Sequence, residues 1–184
     1  MKKVFVGILA LFVTVSATAI IAGSLFSPQP FDIDLIQHPH MLSISTQQFP
    51  EIKVDYTFSD TKNNYQLRYS LFKQNEGGGE DIRMPFSMYT LPIILNISGE
   101  EMNNGNVNRL NDNDVKNEVN GDFGTTVYIE RPKSEFGKGY RYIMINFYCK
   151  KNHGIVVQSI LFNNANFVKS ENFNDILHSF KFKD

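Results

Sequence analysis

The fold is decided by the stretch from Tyr140 to Phe162, whose sequence is YRYIMINFYCKKNHGIVVQSILF. Two runs within it, 140–149 and 155–162, carry apolar side chains at both odd and even positions, and residues 150–154 supply a glycine-containing turn between them. A strand that is apolar on both faces is covered on both sides, so it belongs at the centre of a sheet. The stretch therefore predicts a central hairpin sandwiched between helices or loops.

A second hairpin is predicted upstream. Apolar residues alternate with polar ones from Ile52 to Phe58 and again from Tyr65 to Leu71, with a polar loop at 60–64 between the two runs. Alternation of period two is typical of strands with one face in the core and one in water. We therefore expect a β-hairpin with one wet face. Further strands are predicted at 31–35, 41–45 and 125–130.

The connecting segments predict helices. Residues 84–97 are apolar with roughly helical spacing, and Pro92 favours a helix that is kinked or initiated there, with a buried strand as the alternative. Residues 114–120 fit a short helix with Asn113 as its N-cap and Gly121 after its end. At the C-terminus, Phe173, Ile176, Leu177 and Phe180 follow helical spacing, with Asn172 as the predicted cap.

This order of elements, closed by the pattern Phe173-x-x-Ile176-Leu177-x-Ser179-Phe180, resembles the PsbP-like/DcrB-like group of small exported domains. The resemblance spans roughly residues 50–182. It implies an α+β fold, an antiparallel β-sheet flanked by helices in an α/β/α-type sandwich. It also implies an accessory or binding role beside membrane-associated assemblies, and it supplies no catalytic residues to carry over.

The N-terminus predicts export. Lys2 and Lys3 precede an apolar run that continues to Ala22, and the run contains small residues in A-x-A order, as in a cleavable signal peptide. About 19 apolar residues also suffice for an uncleaved membrane anchor, the alternative. We therefore divide the chain into a signal or anchor (1–24), an extended lead-in (25–50) and one globular domain (51–184). The predicted location is periplasmic or extracellular.

Composition excludes several classes of function. A formal charge of −1 gives no basic field for nucleic acid. The only cysteine, Cys149, allows no internal disulfide, so stability must come from packing. We expect no cofactor.

His38 and His40 form the candidate metal site. In an extended backbone, side chains two residues apart point the same way, so both imidazoles could bind one metal ion. The alternative is an exposed turn at Pro39. A metal-binding periplasmic protein is thus the second functional hypothesis.

No catalytic motif is present. No Ser lies in a G-x-S-x-G turn, and Cys149 lies in a strand predicted to be covered. The loop between the predicted strands at 125–130 and 140–149 mixes charge, aromatic residues and glycine, a composition that suits partner contacts. Its candidate binding residues are Arg131, Lys133, Phe136, Lys138 and Tyr140. We therefore predict a non-enzymatic, envelope-associated binding or accessory protein that recognises a protein partner or a small ligand.

Overall fold

The computed structural model describes residues 24–26, 33–37, 41–44, 47–73, 83–99 and 107–184. In chain order the strands are β1 (Ser24–Phe26), β2 (Ile33–Gln37), β3 (Leu42–Ile44), β4 (Gln47–Gln48), β5 (Lys53–Val54), β6 (Tyr56–Asp60), β7 (Tyr65–Lys73), β8 (Val107–Arg109), β9 (Phe123–Glu130), β10 (Tyr142–Lys150), β11 (Gly154–Phe162) and β12 (Phe180–Phe182). The α-helices are α1 (Arg83–Ser98), α2 (Asp112–Val119) and α3 (Glu171–Leu177), and short 3-10 helices span Glu135–Gly137 and Ala165–Lys169.

The main sheet has, within the described residues, seven antiparallel strands in the order β3-β6-β7-β11-β10-β9-β8. Strands β10 and β11 lie at its interior and pair along their whole length. Strand β11 is buried at every position, as a strand covered on both faces must be. The predicted central hairpin and the α+β fold class are confirmed.

Each face of the sheet has its own apolar cluster. Helices α2 and α3 and strand β12 cover one face, packing Val119, Ile176 and Phe180 in one cluster with side chains of β7 and β11. Helix α1 covers the other face through Ile93 and Ile97. Two clusters separated by one sheet make the three layers of the predicted sandwich.

The segment predicted as an extended lead-in contributes to this domain. Strand β2 lies between β1 and β12 in a small separate sheet, and β3 pairs with β6 at the edge of the main sheet. Leu35 and Met41 are buried in the cluster beneath α2 and α3.

The prediction of one wet face on the β6–β7 hairpin is wrong. The polar face of the hairpin is as buried as the apolar face. Its buried polar side chains are Thr57, Ser59, Gln66, Arg68 and Ser70. Polar groups tolerate burial when hydrogen bonds replace those lost to water, and Gln66 bonds both Ser59 and Arg68.

Residues 83–98 form the single helix α1 with Pro92 inside it, which confirms the prediction of a helix at 84–97. The other two helices differ from prediction at their ends. Asn111 caps α2, two residues before the predicted cap, and Ser170 instead of Asn172 caps α3 by accepting a hydrogen bond from the Phe173 amide. Helix α3 also ends at Leu177, since Phe180–Phe182 pair with β2 as β12.

Candidate functional site

Three connecting segments meet at one end of the main sheet. They are the β6–β7 turn (61–64), the β9–β10 loop (131–141) and the segment that follows β11 (163–172). The strand register brings them together, because Tyr142 lies opposite both Glu130 and Phe162, and Phe162 lies opposite Tyr65. This end of the sheet is the candidate functional site.

The β9–β10 loop is folded tightly onto the sheet. Ser134 caps its 3-10 helix by accepting a hydrogen bond from the Gly137 amide. A Cβ atom at Gly137 would lie 2.3 and 2.4 Å from ring carbons of Pro132, so only glycine fits there without a shift. The loop is therefore a defined surface held on a rigid scaffold.

Arg68 lies beneath this loop and is 6% exposed. Its guanidinium carbon is 4.5 Å from the ring centroid of Phe49 and 4.7 Å from that of Phe136, within the range of cation–π attraction. The same group donates hydrogen bonds to the Phe136 carbonyl oxygen and to Oε1 of Gln66. Burial lowers the pKa of Arg68 to about 10, because the guanidinium has lost most of its hydration. The ring contacts and hydrogen bonds stabilise its charge in place of water.

The residues predicted to bind a partner separate into two groups. Arg131, Lys133 and Lys138 are exposed, and the Lys138 ammonium lies 3.1 Å from a carboxylate oxygen of Glu135. Phe136, by contrast, is 1% exposed and forms part of the apolar cluster beneath α1.

Tyr140 is half-buried against that cluster. Burial raises the pKa of its hydroxyl, and the nearby Arg68 cation offsets part of this rise. The exposed cations therefore face solvent while the two aromatic residues anchor the loop.

A cavity of about 230 Å³ lies beside the loop, between the β6–β7 turn and the segment after β11. Its lining contains six asparagines and no charged residue. The lining residues are Asn63, Asn64, Phe162, Asn163, Asn164, Asn166, Phe167, Ser170 and Asn172. We call this cavity the Asn pocket.

Asn163 joins the Asn pocket to the β9–β10 loop. Its Oδ1 accepts a hydrogen bond of 2.8 Å from the Arg141 amide, and its Nδ2 donates one of 3.1 Å to the Gly139 carbonyl oxygen. One side chain therefore forms part of the pocket wall and fixes the C-terminal limb of the loop.

Sequence reasoning missed the Asn pocket. The sequence pattern indicates only a polar loop at residues 60–64, and the asparagines between 163 and 172 lie about 100 positions further along the chain. One sequence signal could have found the pocket. An Asn pair directly precedes β7 and another directly follows β11, and these two strand ends are neighbours because Tyr65 lies opposite Phe162.

His38 and His40, the candidate metal ligands, lie outside the described residues. Within the described ranges no three His, Cys, Asp or Glu side chains are grouped as ligands for a metal ion. His178 lies on the surface, where its Nε2 is 3.5 Å from a carboxylate oxygen of Glu118. His153 lies in the β10–β11 turn with its ring against Phe182.

Cys149 is buried at 3% exposure beneath α1. Burial raises the pKa of its thiol to about 12, with a smaller contribution from the charge of Asp122. At neutral pH the sulfur is therefore a protonated, apolar core group.

None of the helices in the described ranges combines the length and the apolarity that a bilayer crossing demands.

No family model and no curated protein matches the sequence. Among solved structures, the chain is similar to the solution structure of cyanobacterial PsbP (CyanoP) from Synechocystis sp. PCC 6803. The similarity covers 94% of this chain and 99% of that chain, with a TM-score of 0.50 and 11% sequence identity. At that identity the similarity concerns the fold alone. The chain has a PsbP-like α+β fold, as the order of its sequence elements predicted.

Proposed function

We propose that this chain is an exported, non-enzymatic binding domain that recognises a protein partner at the cell envelope through its β9–β10 loop. The observation that carries the proposal is the construction of that loop. Buried Phe136 and Arg68 hold the loop on the sheet, and the basic side chains of Arg131, Lys133 and Lys138 are exposed to solvent. A rigid scaffold that presents a charged loop is typical of a recognition surface.

The charge of the loop indicates an acidic partner surface. Residues 130–141 contain four basic side chains, those of Arg131, Lys133, Lys138 and Arg141, against two carboxylates. Glu130 pairs with Arg141 at 3.2 Å and more loosely with Arg131 at 3.8 Å. The Glu51 carboxylate also accepts a hydrogen bond from the Glu135 amide, so the four cations face three carboxylates here. The remaining positive charge would steer a partner of opposite sign towards this end of the sheet.

Two described groups that could do chemistry, the Cys149 thiol and the Tyr69 hydroxyl, have structural positions, which supports a binding role over a catalytic one. The Cys149 thiol is buried and protonated, and the Tyr69 hydroxyl bonds Ser179 and Gln158 inside the core. The predicted signal peptide or membrane anchor at 1–24 supports a location in the cell envelope.

A pull-down from the native cell envelope tests the proposal. The wild-type chain is compared with a loop variant, Arg131→Glu/Lys133→Glu/Lys138→Glu, and with a matched control, Lys73→Glu/Lys116→Glu/Lys181→Glu, which reverses three exposed charges elsewhere. We expect the wild type and the control to retain the same stoichiometric partner and the loop variant to lose it.

The partner, once purified, should bind more weakly as the salt concentration rises, because screening shortens the reach of the exposed charges. Equal retention of the partner by all three chains, or recovery of the wild type without any partner, would contradict the proposal.

A further inference from the structure

Three of the six asparagines that line the Asn pocket use their side chains to hold the fold. Asn164 caps the 3-10 helix at Ala165–Lys169, Asn163 holds the β9–β10 loop, and Asn63 donates to Asp60. Among the described residues, the side-chain amides of Asn64, Asn166 and Asn172 have no hydrogen-bond partner, and all three residues are exposed to solvent. Asn64 has a turn role, since its φ of 55° is one that Asn adopts readily. Asn166 and Asn172 are left without a structural task for their side chains.

The lining determines what chemistry the Asn pocket accepts. Each free amide offers one acceptor oxygen and two N–H donors at fixed separation. A ligand of net charge would find no opposite charge among the lining residues. Hydroxyl groups, which both donate and accept, match neutral amides without leaving a partner unsatisfied.

The size of the pocket sets the size of the ligand. Its volume of about 230 Å³ lies below the roughly 300–1,000 Å³ of sites that hold drug-sized molecules. Phe162 and Phe167 supply the aromatic part of the lining, and both side chains are buried. A small ring that carries both hydroxyl and C–H groups fits this combination of amides and aromatic carbon.

From these features we propose that the Asn pocket binds one neutral monosaccharide ring through the amides of Asn166 and Asn172. This site is separate from the surface proposed for the protein partner and does not depend on it. The two proposals fail independently, because the loop variant described above leaves every lining residue in place.

The experiment is a titration of the full, ¹⁵N-labelled chain with glucose, galactose, mannose and N-acetylglucosamine, followed by the NMR signals of its side-chain amides. We expect at least one sugar to shift the Asn166 and Asn172 signals with a Kd on the order of 1 mM. The double variant Asn166→Ala/Asn172→Ala should raise this Kd about tenfold or more. The matched control is Asn117→Ala, an exposed position on α2, and it should leave the Kd unchanged.

Three outcomes would overturn the proposal. The first is that none of the four sugars shifts the pocket signals. The second is that a sugar binds with the same Kd to the double variant, which must melt like the wild type for this comparison. The third is that triglycine amide or inorganic phosphate binds the pocket more tightly than every sugar, which would assign the amides to a peptide or an anion.

Discussion

The guanidinium carbon of Arg68 lies 4.7 Å from the centroid of the Phe136 ring, and the guanidinium also donates a hydrogen bond to the backbone oxygen of Phe136. The Arg68 side chain on β7 therefore contacts both the ring and the backbone of Phe136, which lies 68 residues further along the chain in the β9–β10 loop. The planar, forked guanidinium makes this double contact possible, since it stacks on a ring through its face and donates through its edge.

We expect Arg68→Lys to destabilise the protein by about 2 kcal/mol, because an ammonium group retains the charge but cannot stack and bond in the same way. Urea unfolding measures the change. The control is Arg109→Lys, since Arg109 is exposed on the edge strand β8 and pairs with Asp112 at the surface. That substitution should alter stability by less than about 0.5 kcal/mol. Equal stability of the two variants would show that the contacts of the Arg68 guanidinium with Phe136 do not stabilise the loop.

Gly137→Ala should distort the β9–β10 loop, because the added methyl group would overlap the rigid Pro132 ring. We expect a loss of about 1–3 kcal/mol in thermal or denaturant unfolding. Gly139→Ala is the comparison, since a Cβ there meets nothing within 4 Å and the strain comes only from its φ of +88°. It should lose about 1 kcal/mol. A larger loss for Gly139→Ala than for Gly137→Ala would contradict the close packing of Gly137 on Pro132.

Alkaline pH should unfold the protein through its buried tyrosines. Burial raises the pKa of Tyr69 to about 12, whereas the unfolded chain has a tyrosine pKa of about 10. The folded state thus keeps a proton that the unfolded state loses. The stabilisation is complete below pH 10 and is lost between pH 10 and 12. Urea unfolding at a series of pH values measures this fall.

The control for that series is Tyr69→Phe. This variant should be less stable at neutral pH by about 1 kcal/mol, because the hydroxyl bonds to Ser179 and Gln158 are gone. Its stability should then fall less steeply above pH 10. An identical slope for the variant and the wild type would assign the alkaline transition to other groups, such as buried Tyr65 and Tyr148, whose pKa values burial also raises.

Cys149 should resist thiol reagents in the folded protein. Its sulfur is buried and its raised pKa leaves very little thiolate at pH 8. We expect labelling to be roughly 100-fold or more slower than in the same chain unfolded in guanidinium chloride, which is the internal control. Rapid labelling of the folded chain would mean that β10 opens to solvent on the time scale of the reaction.

The central strands could be predicted from the sequence because their pattern is decided by burial alone. Residues 140–149 and 155–162 are apolar on both faces, and no other placement in a domain of this size suits them. Strand β8 could not be predicted in the same way. Val107–Arg109 are all exposed, and the strand exists because its backbone pairs with β9.

The buried polar face of the β6–β7 hairpin could not be predicted because local pattern does not reveal what covers a surface. Arg68 alternates with apolar neighbours just as a solvent-facing residue would. Its burial depends on Phe49 and Phe136, which come from distant segments. The same limit applies to the Asn pocket, whose walls come from two turns that only the strand register brings together.

The β10–β11 turn stands at the opposite end of the sheet from the Asn pocket and the loop, about 30 Å away along nine-residue strands. Lys151 is exposed there. A fluorophore or biotin coupled to a Lys151→Cys variant would react at that thiol alone, since the native sulfur is sequestered. Sensor chips and single-molecule slides could then display the domain in one orientation, with the Asn pocket and the β9–β10 loop facing the bulk solution.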